Sequence, residues 1–358
     1  MANIMDYLYW RGDLEFSLSP FNDIDNLILS EICYIDFNKR MNKYLSVETK
    51  RFQDVANELF LKQKKEDMVL GLIVPQSIVT LCDIAKDTNR FKNIFVSNYI
   101  NQVNVKKSYQ FSAMCFHISE DEIYIALRGT DDTISGWQEN LDMLCVFPVP
   151  AQVKAAEYVN HIANLYPHAK LIIGGHSKGG NLAIYSAIYC EDDIKDRIIK
   201  IYSNDGPGFT NGKVDINRFS LIKDKIIRII PESSVIGMLL EVYSGTTKIV
   251  KSNVKGLRQH DGFSWEVDVN HFSEVQDITT NAKKLDEAIT KMIEKLSEDE
   301  RKELARNIYD FVIELNKETL IEASKDSLRL IKYINKISKK SKRIFFELVY
   351  NLIKYKQL

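Results

Sequence analysis

Apolar residues near the start of the chain recur at helical spacing. Ile24, Leu27, Ile28, Ile32 and Ile35 share one face, which predicts a helix from about 22 to 35 capped by Asn22 or Asp23. The same spacing predicts helices over about 50–64 and, after the Val74-Pro75 break, about 75–87. Residues 1–20, with Ser19-Pro20 near their end, read as an extended lead-in. From Asn98 the period drops to that of strands, over 98–105, 109–118 and 122–127, with Ser119-Glu-Asp-Glu122 as the turn between the last two. Helical spacing returns over Ala151–Leu165, and the strand-like run Lys170–Ile173 follows. Further strands are predicted over 198–203, 225–230 and 247–252. The β-α-β-α alternation across 122–187 argues for a parallel sheet. From about 280 the chain is helical and highly charged: one helix over 281–296, then a capping box, Ser297-Glu-Asp-Glu300, opening the next.

One stretch stands at the centre of this pattern. Leu171–Ala183 reads as a strand, a glycine-hinged turn and the start of a helix, and contains Gly175-His-Ser-Lys-Gly179. That is G-x-S-x-G, the nucleophile elbow, which needs a strand before it and a helix after it. A serine on so sharp a turn projects its hydroxyl beyond the sheet, and the flanking glycines let the backbone close up. The first N–H groups of the helix face the position where an oxyanion develops. Ser177 is thus the candidate nucleophile.

A serine nucleophile needs a base and an acid that orients it, in the chain order Ser, acid, His. His260 and His271 follow Ser177. His260, in a polar glycine-flanked loop, is preferred over His271, in an Asn-His-Phe stretch. Two acids are candidates. Asp205 ends one strand before the Gly206-Pro207-Gly208 turn, and Glu232 ends the next. The rigid turn favours Asp205, with Glu232 kept as the alternative. Asp261, adjacent to His260, is badly placed to reach the back of its ring. The oxyanion hole falls to the backbone N–H of Lys178 and to Thr130, whose hydroxyl could also contribute. Thr130, Ser177, Asp205 and Glu232 all lie just past strand ends, where open α/β sheets bind ligands, and His260 a few residues further along.

Arg128-Gly-Thr130, Trp137 and Gly175-His-Ser-Lys-Gly-Gly-Asn-Leu-Ala183 resemble the class 3 (fungal-type) lipases. The first 280 residues look more specifically like an uncharacterised bacterial family of lipase-like α/β-hydrolases of the gut Firmicutes type. The matching pieces include Gln110-Phe-Ser-Ala113, Asn204-Asp-Gly-Pro-Gly-Phe209 and Gln259-His-Asp261. The resemblance implies the α/β-hydrolase fold and the roles of Ser177, His260, Thr130 and Lys178. It also implies a lid after the oxyanion strand, where residues 131–150 carry Ile134, Trp137, Leu141, Met143, Leu144, Val146 and Phe147. Class 3 lipases typically have an Asp-x-x-Pro stretch after the strand at 225–230. Here Ser233-Ser-Val-Ile-Gly237 stands there, which again favours Asp205.

The expected organisation is an α/β-hydrolase domain over 1–278, with a mostly parallel central sheet and covering helices in 1–95, then a helical extension over 279–358. Hydrophobic residues make up 45% and charged ones 27%, an ordinary globular balance. A net charge of −1 gives no reason to expect nucleic acid. Residues 1–16 do not read as a signal peptide. Five scattered cysteines, with no C-x-x-C pair, read as thiols in a reducing cytoplasm. No cofactor or metal is expected. The basic, amphipathic stretch 332–358 could touch an anionic membrane, although packing on its own domain is the blander reading. The expected activity is hydrolysis of an acyl or lipid ester by a Ser-His-Asp triad. The other readings are a thioesterase or amidase with the same triad, and a non-catalytic binding protein on the scaffold.

Overall fold

A computed structural model describes residues 1–37, 48–68, 70, 74–104, 109–131, 134–210, 212–297, 299–301, 303 and 339–355. Among them a nine-stranded sheet runs in the order β1 (Lys50–Arg51), β2 (Phe95–Asn104), β3 (Tyr109–His117), β4 (Glu122–Leu127), β5 (Lys170–His176), β6 (Ile198–Asn204), β7 (Ile226–Pro231), β8 (Thr246–Val250) and β11 (Glu274–Val275). The five central strands, β4 to β8, are parallel. The flanking strands pair antiparallel. Two short strands, β9 (Val267–Asp268) and β10 (His271–Phe272), form a separate hairpin.

Helices cover both faces, and each face has its own core. On one side α1 (Ile4–Arg11), α2 (Asp23–Ile32), α3 (Phe52–Lys62) and α4 (Ser77–Ala85) pack on side chains such as Met114, Phe116, Tyr124 and Ile172. On the other, α6 (Pro150–Leu165) and α7 (Lys178–Tyr189) pack on Cys115, Ile125, Leu171 and Ile173. The alternation of side chains along each strand sends successive residues to opposite cores. Ile172 joins one and Ile173 the other.

The lead-in departs from its reading. Residues 4–11 are a helix, with Asn3 and Asp6 forming a capping box. The pattern is short, with only Ile4, Tyr7 and Leu8 on its buried face. Burial of Ile4, Tyr7 and Leu8 supplies what the local signal lacks.

α2 is buried along almost its whole length, polar residues included. A side-chain network ties it to the end of β6. Asn26 Nδ2 donates to Asn204 Oδ1 at 2.8 Å, and Asn204 Nδ2 donates to Ser30 Oγ at 3.2 Å and to the Gly175 carbonyl at 3.2 Å. Asp25 is held by a buried ion pair with Arg90. These polar groups are satisfied in the interior, which sets α2 in one register on the sheet.

The short helices α8 (Asp192–Lys195) and α9 (Ile216–Ser220) sit in connections. Past the sheet, α10 (Thr280–Glu294) packs Leu285 and Ile289 on Val235, Leu239 and Leu257. The capping box predicted after it is formed, Ser297 N–H donating to Glu300 Oε2 at 2.8 Å. A last helix, α11 (Lys339–Lys354), meets α10 through Ile344, Met292 and Leu296. Of the basic stretch predicted over 332–358, residues 332–338 and 356–358 lie outside the described residues. No described helix is long and apolar enough to cross a membrane.

Candidate active site

The elbow is built from its glycines. A Cβ on Gly175 would lie 2.3 Å from the Leu127 carbonyl oxygen, and one on Gly179 would lie 2.0 Å from the same oxygen. Only bare backbone lets the turn after β5 press against the end of β4. Between them Ser177 sits at φ 56°, ψ −128°, a conformation that costs on the order of 1–3 kcal/mol outside glycine. The sheet secures it: Ser177 N–H donates to the Asn204 carbonyl at 2.9 Å. The strain places Ser177 at the N-cap of α7, ahead of N–H groups that have no acceptor within the helix.

Asp205 follows the end of β6, also at positive φ (46°) and fully buried. Its Oδ2 lies 2.6 Å from His260 Nδ1. Its Oδ1 accepts from Ser234 Oγ at 2.5 Å and from Gly237 N–H at 3.2 Å. Burial pushes the carboxyl up, but the hydrogen bond and charge of His260, with Ser234, outweigh it and leave Asp205 below the usual range. With Nδ1 engaged, His260 has Nε2 left for chemistry. Its loop is fixed from behind: Trp265 Nε1 donates to the Gln259 carbonyl at 2.8 Å, and His176 Nε2 donates to the His260 carbonyl at 2.8 Å.

Ser177, His260, Thr130 and Lys178 line one cavity of about 430 Å³. Its apolar wall includes Leu141, Met143, Leu144, Ile236, Leu239 and Leu257. A larger opening of about 660 Å³, among Phe16, Phe21, Arg90 and His117, contains none of these site residues.

The structure therefore brings together Ser177, His260, Asp205, Thr130 and Lys178. It does not bring in Glu232 or His271. Glu232 bonds through its backbone, N–H to Val250 and carbonyl from Thr279, while the ring of His260 is taken by Asp205. His271 is exposed on the β9–β10 hairpin. Asp261 caps a turn through Phe263 N–H, at 2.9 Å. The Thr130 hydroxyl donates to Asn140 Oδ1 at 2.7 Å.

Asn140 belongs to α5 (Ile134–Asp142), and α5 is fastened twice more. Lys178 Nζ, buried, lies 3.0 Å from Glu139 Oε2, and Glu139 Oε1 accepts from Ala151 N–H at 2.8 Å. Lys178 also donates to the carbonyl and the Oε1 of Gln110. The sequence reading missed Glu139, Asn140, Ser234, His176 and Glu31 as site residues. Only His176 carried a signal, its place inside the elbow motif. Within the segment read as a lid, Met143 and Leu144 line the cavity. Phe147 instead packs with Tyr185, Tyr189 and Phe209.

Residues 85–310 match the model of the Mbeg1-like family. The chain belongs to the Mbeg1-like family. The match starts at the end of α4 and runs past α10, so the Mbeg1-like region spans every strand of the sheet except β1, and every residue that lines the site except Glu31, Tyr34, Val74 and Pro75. Among solved structures the chain is similar to Rhizomucor miehei lipase in its propeptide complex, at 18% identity and a TM-score of 0.34, over 48% of this chain and 59% of the lipase. It is similar to M37 lipase at 17% identity and 0.35, over 59% and 68%. Lip2 lipase of Yarrowia lipolytica is similar at 12% and 0.34, over 51% and 71%. The chain thus spans about six tenths of the Rhizomucor enzyme, and such likeness does not extend to substrate or activity. No curated protein matches it in sequence. The Mbeg1-like chain has an α/β fold with a mostly parallel central sheet and the strand–turn–helix of the elbow between β5 and α7.

Proposed function

We propose that the protein is a serine hydrolase that cleaves carboxylic esters of acyl or lipid type. The observation that carries this reading is the 2.6 Å contact between Asp205 and His260 Nδ1 at the cavity that Ser177 lines. Ser177 Oγ attacks the ester carbonyl while His260 Nε2 takes its proton. Asp205 holds the imidazole in the tautomer that leaves Nε2 free to accept, and stabilises the imidazolium that forms. The N–H groups of Lys178 and Thr130 receive the oxyanion. His260 then passes its proton to the leaving alcohol, and water releases the acyl group by the same steps in reverse order.

The apolar lining supports an acyl chain as the occupant, with α5 and the residues after it as the cover of its groove. Replacing Met143 and Leu144 by serine should lower turnover of long-chain esters more than of short ones. An unchanged chain-length profile would remove the groove from the proposal.

The decisive experiment is fluorophosphonate labelling of the purified protein beside Ser177→Ala and His260→Ala. Labelling lost in both variants supports an activated serine, and an ester, thioester and amide panel then assigns the bond. A folded protein that stays unlabelled, with or without detergent, favours a binding role on the hydrolase scaffold.

A further inference from the structure

Glu31, near the end of α2, is a buried carboxyl with no hydrogen-bond partner on Oε1, and it borders the cavity of Ser177 and His260. Its Oε1 lies 3.7 Å from His176 Nδ1. The loop that carries His260 is pressed against it, since a Cβ on Gly262 would sit 3.0 Å from that oxygen. On the far side of the same imidazole, His176 Nε2 is 2.8 Å from the His260 carbonyl. The rings of His176 and His260 lie against each other, centroids 4.7 Å apart and planes tilted by 34°.

The chemistry of these contacts fixes the protons. A carbonyl only accepts, so His176 Nε2 carries the hydrogen. The buried ring is neutral, burial having lowered it to about 3, so Nδ1 presents a lone pair. A carboxylate facing that lone pair would be repelled by it. A carboxylic acid supplies the missing donor. We propose that Glu31 is a positioning residue held as a neutral acid, which donates to His176 Nδ1 and thereby keeps His176 Nε2–H on the carbonyl of His260, fixing the imidazole that acts on Ser177. At 3.7 Å the two atoms are neighbours short of a hydrogen bond, so the proposed bond requires the carboxyl to come closer to Nδ1.

The surroundings agree with the neutral form. Burial pushes Glu31 well above the usual carboxyl range, and the charge of Asp261 pushes it the same way. The other titratable groups near it are His176, Tyr34 on the next turn and Tyr124 of β4, with Arg128 acting on Tyr34. As pH rises through its folded value, Glu31 loses the proton it donates and turns a carboxylate toward Nδ1.

This inference rests on the hydrolase reading for its kinetic consequence but not for its protonation state, so it is tested on both. The kinetic test follows labelling of Ser177, and ester turnover, across pH in wild type, Glu31→Gln and Glu31→Leu. Glu31→Leu should slow both at least ten-fold. Glu31→Gln, whose amide N–H can serve Nδ1 without titrating, should restore most of that loss and flatten the alkaline fall of the wild type. Identical pH profiles in wild type and Glu31→Gln, or equal rates in the two variants, would overturn the proposal. Separately, infrared difference spectra between wild type and Glu31→Gln at neutral pH should contain a protonated-carboxyl band. Its absence would also overturn the proposal. A band in a protein whose Ser177 never labels supports the neutral acid and strikes the hydrolase reading instead.

Discussion

Lys178 and Glu139 form an ion pair of 3.0 Å with both side chains shut off from water, one at the first residue of α7 and the other on α5. The residue assigned an oxyanion N–H thus uses its side chain for a different task, anchoring the helix beside the cavity. Breaking a buried pair from one side leaves an unpaired charge in the interior. Glu139→Ala should destabilise the protein by about 3–5 kcal/mol, and the double change Glu139→Leu with Lys178→Met should recover most of it. Urea denaturation midpoints check this. A single variant with a wild-type midpoint would show that the pair does not hold α5.

Thr130 separates two readings of the oxyanion hole. Its hydroxyl serves Asn140, so Thr130→Val should cost about 1 kcal/mol of stability and slow acylation less than ten-fold. Loss of a true oxyanion donor costs roughly 10²–10³-fold. A slowing of that size in Thr130→Val, with labelling rate as the readout, would return the hydroxyl to the hole.

Asp205 and Glu232 are distinguished the same way. Asp205→Asn should reduce the labelling rate by roughly 10⁴-fold, the scale for a lost triad carboxylate, and Glu232→Gln should leave it near wild type. The reverse outcome would move the acid to the end of β7.

Acid should unfold the protein by a route visible in its histidines. Burial lowers His117 to about 4 and His176 to about 3, from an ordinary 6.5. Between those values and 6.5 the unfolded chain binds more protons, so stability falls as pH drops, by about 1.4 kcal/mol per pH unit for each histidine. Asp205, held below its ordinary 3.8, adds a loss in the same direction at lower pH. Glu31, whose folded value burial raises, gives the opposite slope, so the readout is a difference between variants. The thermal midpoint of His117→Asn should gain on that of wild type as pH drops below about 6.5. A difference that stays constant with pH would contradict the burial of that ring.

The sequence by itself determined a good deal here. Helical and strand periodicity placed α2 to α4, the strands β2 to β8 and α6 within a few residues, because a segment that buries one face must repeat apolar positions at its own period. The glycines and serine of the elbow were legible for a similar reason: a turn that admits no Cβ must be written in glycine. Position past strand ends then gathered Thr130, Ser177, Asp205 and His260, since a parallel sheet brings those ends together whatever the intervening chain. What the tertiary structure alone decided are contacts between elements distant in sequence. Which acid meets His260 depends on whether Ser234 and Gly237 fold back onto Asp205. Where the Thr130 hydroxyl points depends on how α5 docks. Glu31, Glu139 and Asn140 carry no local pattern, because hydrogen bonds and desolvation act through space, and a polar residue on a buried helix looks along the chain like any other.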